Sequence, residues 1–187
     1  QYNYQVTTSK TLKIRVTAKI NGADVDFEKS YDVVVKNPNL SEPRPAGTLQ
    51  GANYFSDPTK TRLSLLAPQK SLIYVVGDFT DWKVQEKYQM KKDGEYFWID
   101  IEGLTPGKQY VYQYWIDGNL HIADPYAQQI ADPWNDKWIE SSVFPNLPTY
   151  SRENLGIASV LQTSQSQYSW SSQESEWKKP DVNHLVI

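Results

Sequence analysis

Residues 109–122 read QYVYQYWIDGNLHI, and this stretch decides the class of fold. Tyr110, Tyr112 and Tyr114 alternate with the residues between them, which is the period of a β-strand. Asp117-Gly118 is a strong signal for a two-residue hairpin turn, and a second strand follows over 119–122. The stretch therefore predicts a β-hairpin.

Further strand signals recur on the N-terminal side of this hairpin, at intervals of about ten residues. They cover 61–66, 71–77 and 95–101. This spacing is typical of a β-sandwich, and nothing in the chain has the pattern of a long amphipathic helix. The sequence predicts the all-β class, with roughly six or seven strands in the sandwich.

The first segment predicts a separate strand pair. Residues 12–20 alternate apolar with polar side chains, and Asn21-Gly22 turns the chain into a second strand over 27–35. An isolated hairpin is at best marginally stable in water. Residues 1–37 are therefore either the end of a β-domain that begins upstream or strands that pack on the domain that follows. The Pro-rich stretch 36–47 is typical of a linker.

The composition changes after residue 123. Asp124-Pro125 and Asp132-Pro133 each place a capping residue before a proline, so each predicts one short helical turn. Residues 140–177 are rich in Ser, Gln, Pro and Asn with scattered aromatics, which predicts an ordered wrap along another surface. Residues 183–187 have the pattern of the beginning of a strand.

Composition argues against several classes of protein. The chain has 19 Lys+Arg and 22 Asp+Glu, a net charge of −3, which disfavours a nucleic-acid partner or a membrane surface. The absence of Cys excludes disulfides and thiol chemistry. His121 and His184 have no His partner at metal-ligand spacing, so we expect no metal and no cofactor. The apolar runs are far shorter than the ~20 residues of a membrane span.

Four short motifs follow one another in a recognisable order. They are Gly77-Asp-Phe-Thr-Asp-Trp82, Gly94-Glu-Tyr-Phe-Trp98, Gly103-Leu-Thr-Pro-Gly107 and Asp124-Pro-Tyr-Ala127. The series resembles carbohydrate-binding module family 48, the early-set module that precedes the catalytic domain of α-amylase-type enzymes such as pullulanases, isoamylases and glycogen branching enzymes. The resemblance implies an immunoglobulin-like (early-set) β-sandwich with a preceding partial β-domain and a mostly irregular C-terminal wrap.

The resemblance also implies domain boundaries. Residues 1–46 are expected to be a partial β-sandwich domain or a hairpin, plus a linker. Residues 47–130 are the sandwich, and 131–187 are a connector to a catalytic barrel that is absent from the chain. Glycoside hydrolase family 13 chemistry requires an Asp nucleophile, a Glu acid and a further Asp at the ends of barrel strands. The sequence has no alternating βα pattern that could form such a barrel, so we expect no catalytic residue.

Five aspartates lie at predicted turns or caps, where we expect their side chains to accept hydrogen bonds from nearby backbone N–H groups. They are Asp78, Asp81, Asp117, Asp124 and Asp132.

The resemblance implies where a glucan would bind. Glucan-binding relatives use the Trp of the Gly-x-Phe-x-x-Trp motif, a Lys before the Asp-Gly hairpin and a Trp just after it. Here Trp82 matches the first, Gln113 stands at the Lys position, and Leu120 with its neighbour Asn119 stands at the second Trp. Trp115 shares a strand face with Gln113 and completes the candidate set. Because two of these positions are changed, we expect weak contact with a glucan. In the alternative interpretation, Trp82 is a partly buried indole that seals its loop.

The sequence thus predicts a non-catalytic accessory module of an α-glucan-active enzyme. Its partners are its own catalytic barrel and an α-glucan oligosaccharide, and its expected location is outside the cytoplasm. Trp134 and Trp138 are expected to be buried against the sandwich or the barrel. The alternative is a tandem immunoglobulin-like or fibronectin-like adhesion or spacer module without carbohydrate binding, which fits the strand spacing but does not explain the ordered motifs.

Overall fold

The computed structural model describes residues 10–33, 35, 37, 40–166 and 169–178, and most of the regular structure is antiparallel strand. The described residues contain eleven strands: β1 Lys10–Ile20, β2 Ala23–Val33, β3 Gly51–Tyr54, β4 Lys60–Leu66, β5 Ile73–Gly77, β6 Lys91–Asp93, β7 Tyr96–Glu102, β8 Gln109–Ile116, β9 Leu120–Ile122, β10 Gln129–Ala131 and β11 Ala158–Gln162. One short helix, α1 (Ser172–Ser175), follows them. The predicted all-β class is confirmed.

Two sheets enclose the main hydrophobic core. The first has the strand order β3-β4-β7-β6, and the second has the order β10-β11-β8-β5 with β9 paired to β8. Side chains from both sheets are buried between them, including Leu63, Phe97, Tyr112, Tyr114 and Leu161. The tyrosines that alternate along β8 therefore face the core, and the β-sandwich predicted from their spacing is confirmed.

β11 is a strand that the sequence does not predict. It lies between β10 and β8, so it is an interior strand of the second sheet. Its first four residues are all buried, because Leu161 faces the main core while Val160 packs in a second cluster with Val111, Trp82 and Tyr150. A strand that is covered on both faces lacks the alternation of apolar and polar residues that marks a half-exposed strand. The polar composition of 140–177 therefore conceals it.

The β1–β2 hairpin forms as predicted around the Asn21-Gly22 turn. Its apolar side chains lie on one face and are about half-exposed, among them Val16 at 53% and Phe27 at 54%. Its other face carries ion pairs such as Arg15 with Glu28 at 3.3 Å. The placement of this hairpin in a separate domain stays a prediction.

The described part of the predicted linker lies along the first sheet. Ser41 pairs with Lys92 of β6, and the indole Nε1 of Trp98 donates a hydrogen bond to the carbonyl oxygen of Glu42 at 2.9 Å. The guanidinium of Arg44 stacks over the ring of Tyr96 at 3.9 Å. Residues 40–44 therefore cover the outer face of β7 and bury Trp98, which is only 2% exposed.

Aspartates fix several turns, as predicted. The Oδ1 atom of Asp117 accepts hydrogen bonds from the backbone N–H groups of Ser71 and Leu72, each at 3.0 Å. Desolvation raises the pKa of Asp117, but these hydrogen bonds outweigh it and the pKa lies below its usual value. Asp132 accepts from two backbone N–H groups that follow it. Asp81 contributes a left-handed backbone conformation instead, with φ of 52°.

The two predicted helical turns have different outcomes. A 3-10 turn, Asp136–Trp138, follows Asp132, whereas the chain after Asp124 forms a hydrogen-bonded turn without helix. The predicted strand start at 183–187, with His184, lies outside the described residues. In the part of the chain that is described, no three His, Cys, Asp or Glu side chains form a group able to hold a metal ion. None of the described helices is long and apolar enough to cross a membrane.

Candidate functional site

The turn after β5 is held by Asp78. Its Oδ2 atom accepts a hydrogen bond from the backbone N–H of Val111 in β8 at 2.8 Å, and its Oδ1 atom accepts one from the indole Nε1 of Trp82 at 3.0 Å. One carboxylate thus joins the turn to the central strand of the second sheet and orients the indole. This aspartate acts as the sequence predicts, although one of its partners lies far along the chain.

Trp82 is partly buried, and residues far along the chain pack against its ring. The ring of Tyr150 lies 5.3 Å away at an angle of 30°, and the guanidinium of Arg152 lies 4.8 Å from the indole centroid. Burial raises the pKa of Tyr150 to about 12, against the opposing effect of the Arg152 charge. The phenol is therefore neutral at ordinary pH, and the indole packs within the protein as the alternative interpretation of Trp82 expects.

Gln113 is fully buried. Its side-chain Nε2 donates hydrogen bonds to the carbonyl oxygens of Leu155 at 2.8 Å and Ile157 at 2.7 Å. Its Oε1 atom is buried and accepts no hydrogen bond from the described residues. Gln113 therefore holds residues 150–157, which we name the covering segment, against the outer face of the second sheet.

The residues of the β8–β9 hairpin are divided between the two sides of the sheet. Trp115 is 8% exposed and its indole stacks on the ring of His121, with centroids 5.8 Å apart. Leu120 is exposed and pairs with Ile116, whose side chain belongs to the core. Because paired residues share a side of the sheet, Leu120 and Trp115 lie on opposite sides.

The structure brings together three of the five predicted site residues. Trp82, Gln113 and Trp115 lie on the outer face of the second sheet, whereas Leu120 and the exposed Asn119 lie at the hairpin. The covering segment belongs to the wrap predicted over 140–177, but sequence reasoning did not predict that it packs on this face. The only signal for it is Tyr150, an aromatic residue in polar surroundings, and nothing local to it indicates which surface it meets.

A buried aspartate anchors the chain where it leaves β9. Asp124 is 3% exposed, and its Oδ2 atom accepts hydrogen bonds from the hydroxyls of Tyr112 at 2.8 Å and Tyr114 at 2.9 Å. Its Oδ1 atom accepts from the backbone N–H of Tyr126, and its own N–H donates to Ser159 Oγ. Burial raises the pKa of both tyrosines well above the usual value, so both hydroxyls stay protonated and donate. This carboxylate serves as an acceptor that ties the Asp-Pro-Tyr segment to the core.

Comparison with known proteins finds similarity in the central part of the chain. Residues 50–134 match the family model of carbohydrate-binding module 48, the isoamylase N-terminal domain. The 1,4-alpha-glucan branching enzyme of Clostridium perfringens strain ATCC 13124 is 37% identical over 105 residues, which cover 52% of this chain and 15% of the enzyme. The chain thus spans about 15% of the length of the curated relatives that it matches.

Solved structures also match part of the chain. A pullulanase mutant of Paenibacillus barengoltzii, complexed with maltotriose, has 30% sequence identity and a TM-score of 0.33; the match covers 44% of this chain and 13% of that one. The pullulanase of Group B Streptococcus has 19% identity and a TM-score of 0.36, and the match covers 50% of this chain and 13% of that one. The two-sheet fold is consistent with the match of residues 50–134 to the family model of carbohydrate-binding module 48.

Proposed function

We propose that the chain is a non-catalytic accessory module of an α-glucan-active enzyme of the α-amylase family, which packs beside the catalytic domain and contacts α-glucan. The match of residues 50–134 to carbohydrate-binding module 48 carries the proposal. The branching-enzyme relatives, named for a 1,4-alpha-glucan, support the choice of ligand.

Exposed apolar side chains that follow β10 support the contact with a catalytic domain. Trp138 is 77% exposed, Val143 is 75% exposed and Trp134 is 43% exposed. Large apolar side chains exposed within ten residues of one another are candidates for contact with another protein surface. The sandwich leaves much of these side chains exposed. We therefore propose that the catalytic barrel, the other surface expected to bury the tryptophans, covers them.

The covering segment limits what the face around Trp82 offers to a sugar. A pyranose ring needs a flat aromatic surface, and here Tyr150 and Arg152 already pack against the indole. Gln113 is fully buried, and its amide N–H groups already donate to the covering segment. We therefore expect a dissociation constant in the millimolar range at this face, which corresponds to a binding free energy on the order of 4 kcal/mol.

Gel retardation tests the proposed function. The chain is expected to migrate more slowly in a native gel that contains amylopectin than in a gel without polysaccharide, because weak contacts repeat along the polymer. It should migrate normally in a gel that contains hydroxyethyl cellulose, the matched β-glucan control, and it should release no reducing sugar from amylopectin. Equal migration in all three gels would favour the spacer module, and release of reducing sugar would contradict the non-catalytic role.

A further inference from the structure

Three glutamines lie side by side at one end of the second sheet. Gln109 begins β8, Gln162 ends β11 and Gln129 begins β10. In the antiparallel register, Gln109 pairs with Gln162, and Gln129 pairs with Val160, two residues before Gln162. Since every second residue of a strand shares a face and paired residues share a side, the three amides lie on one face. It is the outer face, the same face as Gln113.

These glutamines line two adjoining cavities of about 570 and about 510 Å³. Gln162 and Gln165 line both, while Gln109 and Gln129 line the second. We name the two cavities together the amide groove. Each volume lies in the range of roughly 300–1,000 Å³ that is typical of small-molecule sites.

Aromatic rings accompany the amides. Tyr54 and Trp170 line the first cavity, and Phe144 lines the second. Aromatic rings offer flat apolar surfaces to the C–H faces of a pyranose, and amide groups both donate to and accept from hydroxyls. None of the described residues that line the groove is charged. Recognition of phosphate or carboxylate uses Arg or Lys, so the groove suits a neutral polyhydroxylated ligand.

The hydrogen bonding of the paired glutamines leaves the Nε2 atom of Gln129 without an acceptor among the described residues. The Nε2 atom of Gln162 donates to the carbonyl oxygen of Gly107 at 2.9 Å, which fixes that side chain. Gln129 accepts a long hydrogen bond, 3.5 Å, from Gln109, but its Nε2 atom is buried and donates to no described residue. A buried donor without an acceptor is costly, and a sugar hydroxyl in the groove would supply the acceptor once the Gln129 amide turns toward it.

The groove lies apart from Trp82 on the same sheet face. Gln109 and Gln113 are four residues apart on β8, which corresponds to roughly 13 Å at the rise of a strand. The covering segment packs on the sheet at Gln113, and the cavities lie at the end marked by Gln109. We propose that the amide groove binds a neutral oligosaccharide at a site separate from the Trp82 face. The choice of α-glucan as that oligosaccharide rests on the proposed function.

Calorimetric titration of the 187-residue chain with maltoheptaose tests the groove. Trp170→Ala is expected to raise the dissociation constant roughly tenfold or more, because it removes the large exposed ring of the first cavity. Trp177→Ala is the matched control: Trp177 is 69% exposed, against 74% for Trp170, and does not line the groove. The control should bind as the wild type does, and both variants should keep the wild-type melting temperature.

A second pair of variants separates the groove from the Trp82 face. Gln129→Ala is expected to weaken binding several-fold. A dissociation constant that rises in Trp82→Ala, but not in Trp170→Ala or Gln129→Ala, would overturn the groove and leave the proposed function intact. If amylopectin retards the wild-type chain and Trp170→Ala binds maltoheptaose with an unchanged dissociation constant, the groove is overturned and the proposed function stands. No saturable heat from the wild type at millimolar maltoheptaose would also overturn the groove.

Discussion

Replacement of Asp124 by alanine is expected to lower the free energy of unfolding by about 4 kcal/mol. The hydroxyls of Tyr112 and Tyr114 both donate to its Oδ2 atom. The two tyrosines are buried, at 1% and 0% exposure, so water cannot replace the lost acceptor. Each buried donor left unpaired costs about 1–3 kcal/mol, and the lost bond from the Tyr126 N–H adds about 1 kcal/mol.

Urea denaturation of matched variants measures this effect. Asp132→Ala is the control, because Asp132 accepts from two backbone N–H groups at an exposed turn and from no buried hydroxyl. The loss there is expected to be about 1 kcal/mol, as for a helix cap. Asp124→Asn keeps one carbonyl acceptor and should fall between the two. Equal losses in the two alanine variants would contradict the role of Asp124 as the acceptor for the buried tyrosines.

Gly77→Ala is expected to cost about 3 kcal/mol, through overpacking against the central strand. A Cβ atom at Gly77 would lie 2.8 Å from the Cβ and 2.9 Å from the Cα of Tyr112, and closer still to the carbonyl oxygen of Val111. These atoms belong to β8, which is hydrogen-bonded to β5 on one side and to β11 on the other, so they cannot shift cheaply. The first glycine of the Gly-x-Phe-x-x-Trp motif is thus explained by close packing of the backbone.

Gly94→Ala provides the comparison for Gly77→Ala. Gly94 has φ of 60° and no atom within 4 Å of a Cβ, so alanine there meets only the strain of a left-handed conformation. We expect a loss of about 1 kcal/mol. A loss in Gly77→Ala no larger than in Gly94→Ala, measured by thermal and urea unfolding, would show that β8 yields to the added methyl group.

Much of the sandwich could be predicted because its strands carry a clear local pattern of side chains. The alternating tyrosines of β8 and the apolar run of β5 are local patterns, and both fall where the sequence places them. β11 has a weaker pattern, since the small Ala158 and the polar Ser159 interrupt its apolar residues. The apolar run between Gly156 and the turn at Ser164 is the only local signal for it.

The residues of the candidate site could be named from the sequence, but the contacts that surround them could not. The resemblance implies that Trp82 and Gln113 belong to one site, and in the structure both lie on the outer face of the second sheet. Their environment depends on the covering segment, which meets the face from about 40 residues further along the chain, and no local period encodes such a contact. The same reason applies to Asp124: its bond to the Tyr126 N–H is local, but its bonds to Tyr112 and Tyr114 are not.

Titration of the ¹⁵N-labelled chain with maltoheptaose, followed by amide NMR, tests most directly whether the sandwich is a non-catalytic module that contacts α-glucan. We predict shifts that saturate with a dissociation constant on the order of millimolar, confined to the outer face of the second sheet, with maltoheptaose recovered intact. Cellohexaose should produce no such shifts. Amide spectra that do not change at maltoheptaose concentrations roughly ten times a millimolar dissociation constant, or shortening of the oligosaccharide, would contradict the account.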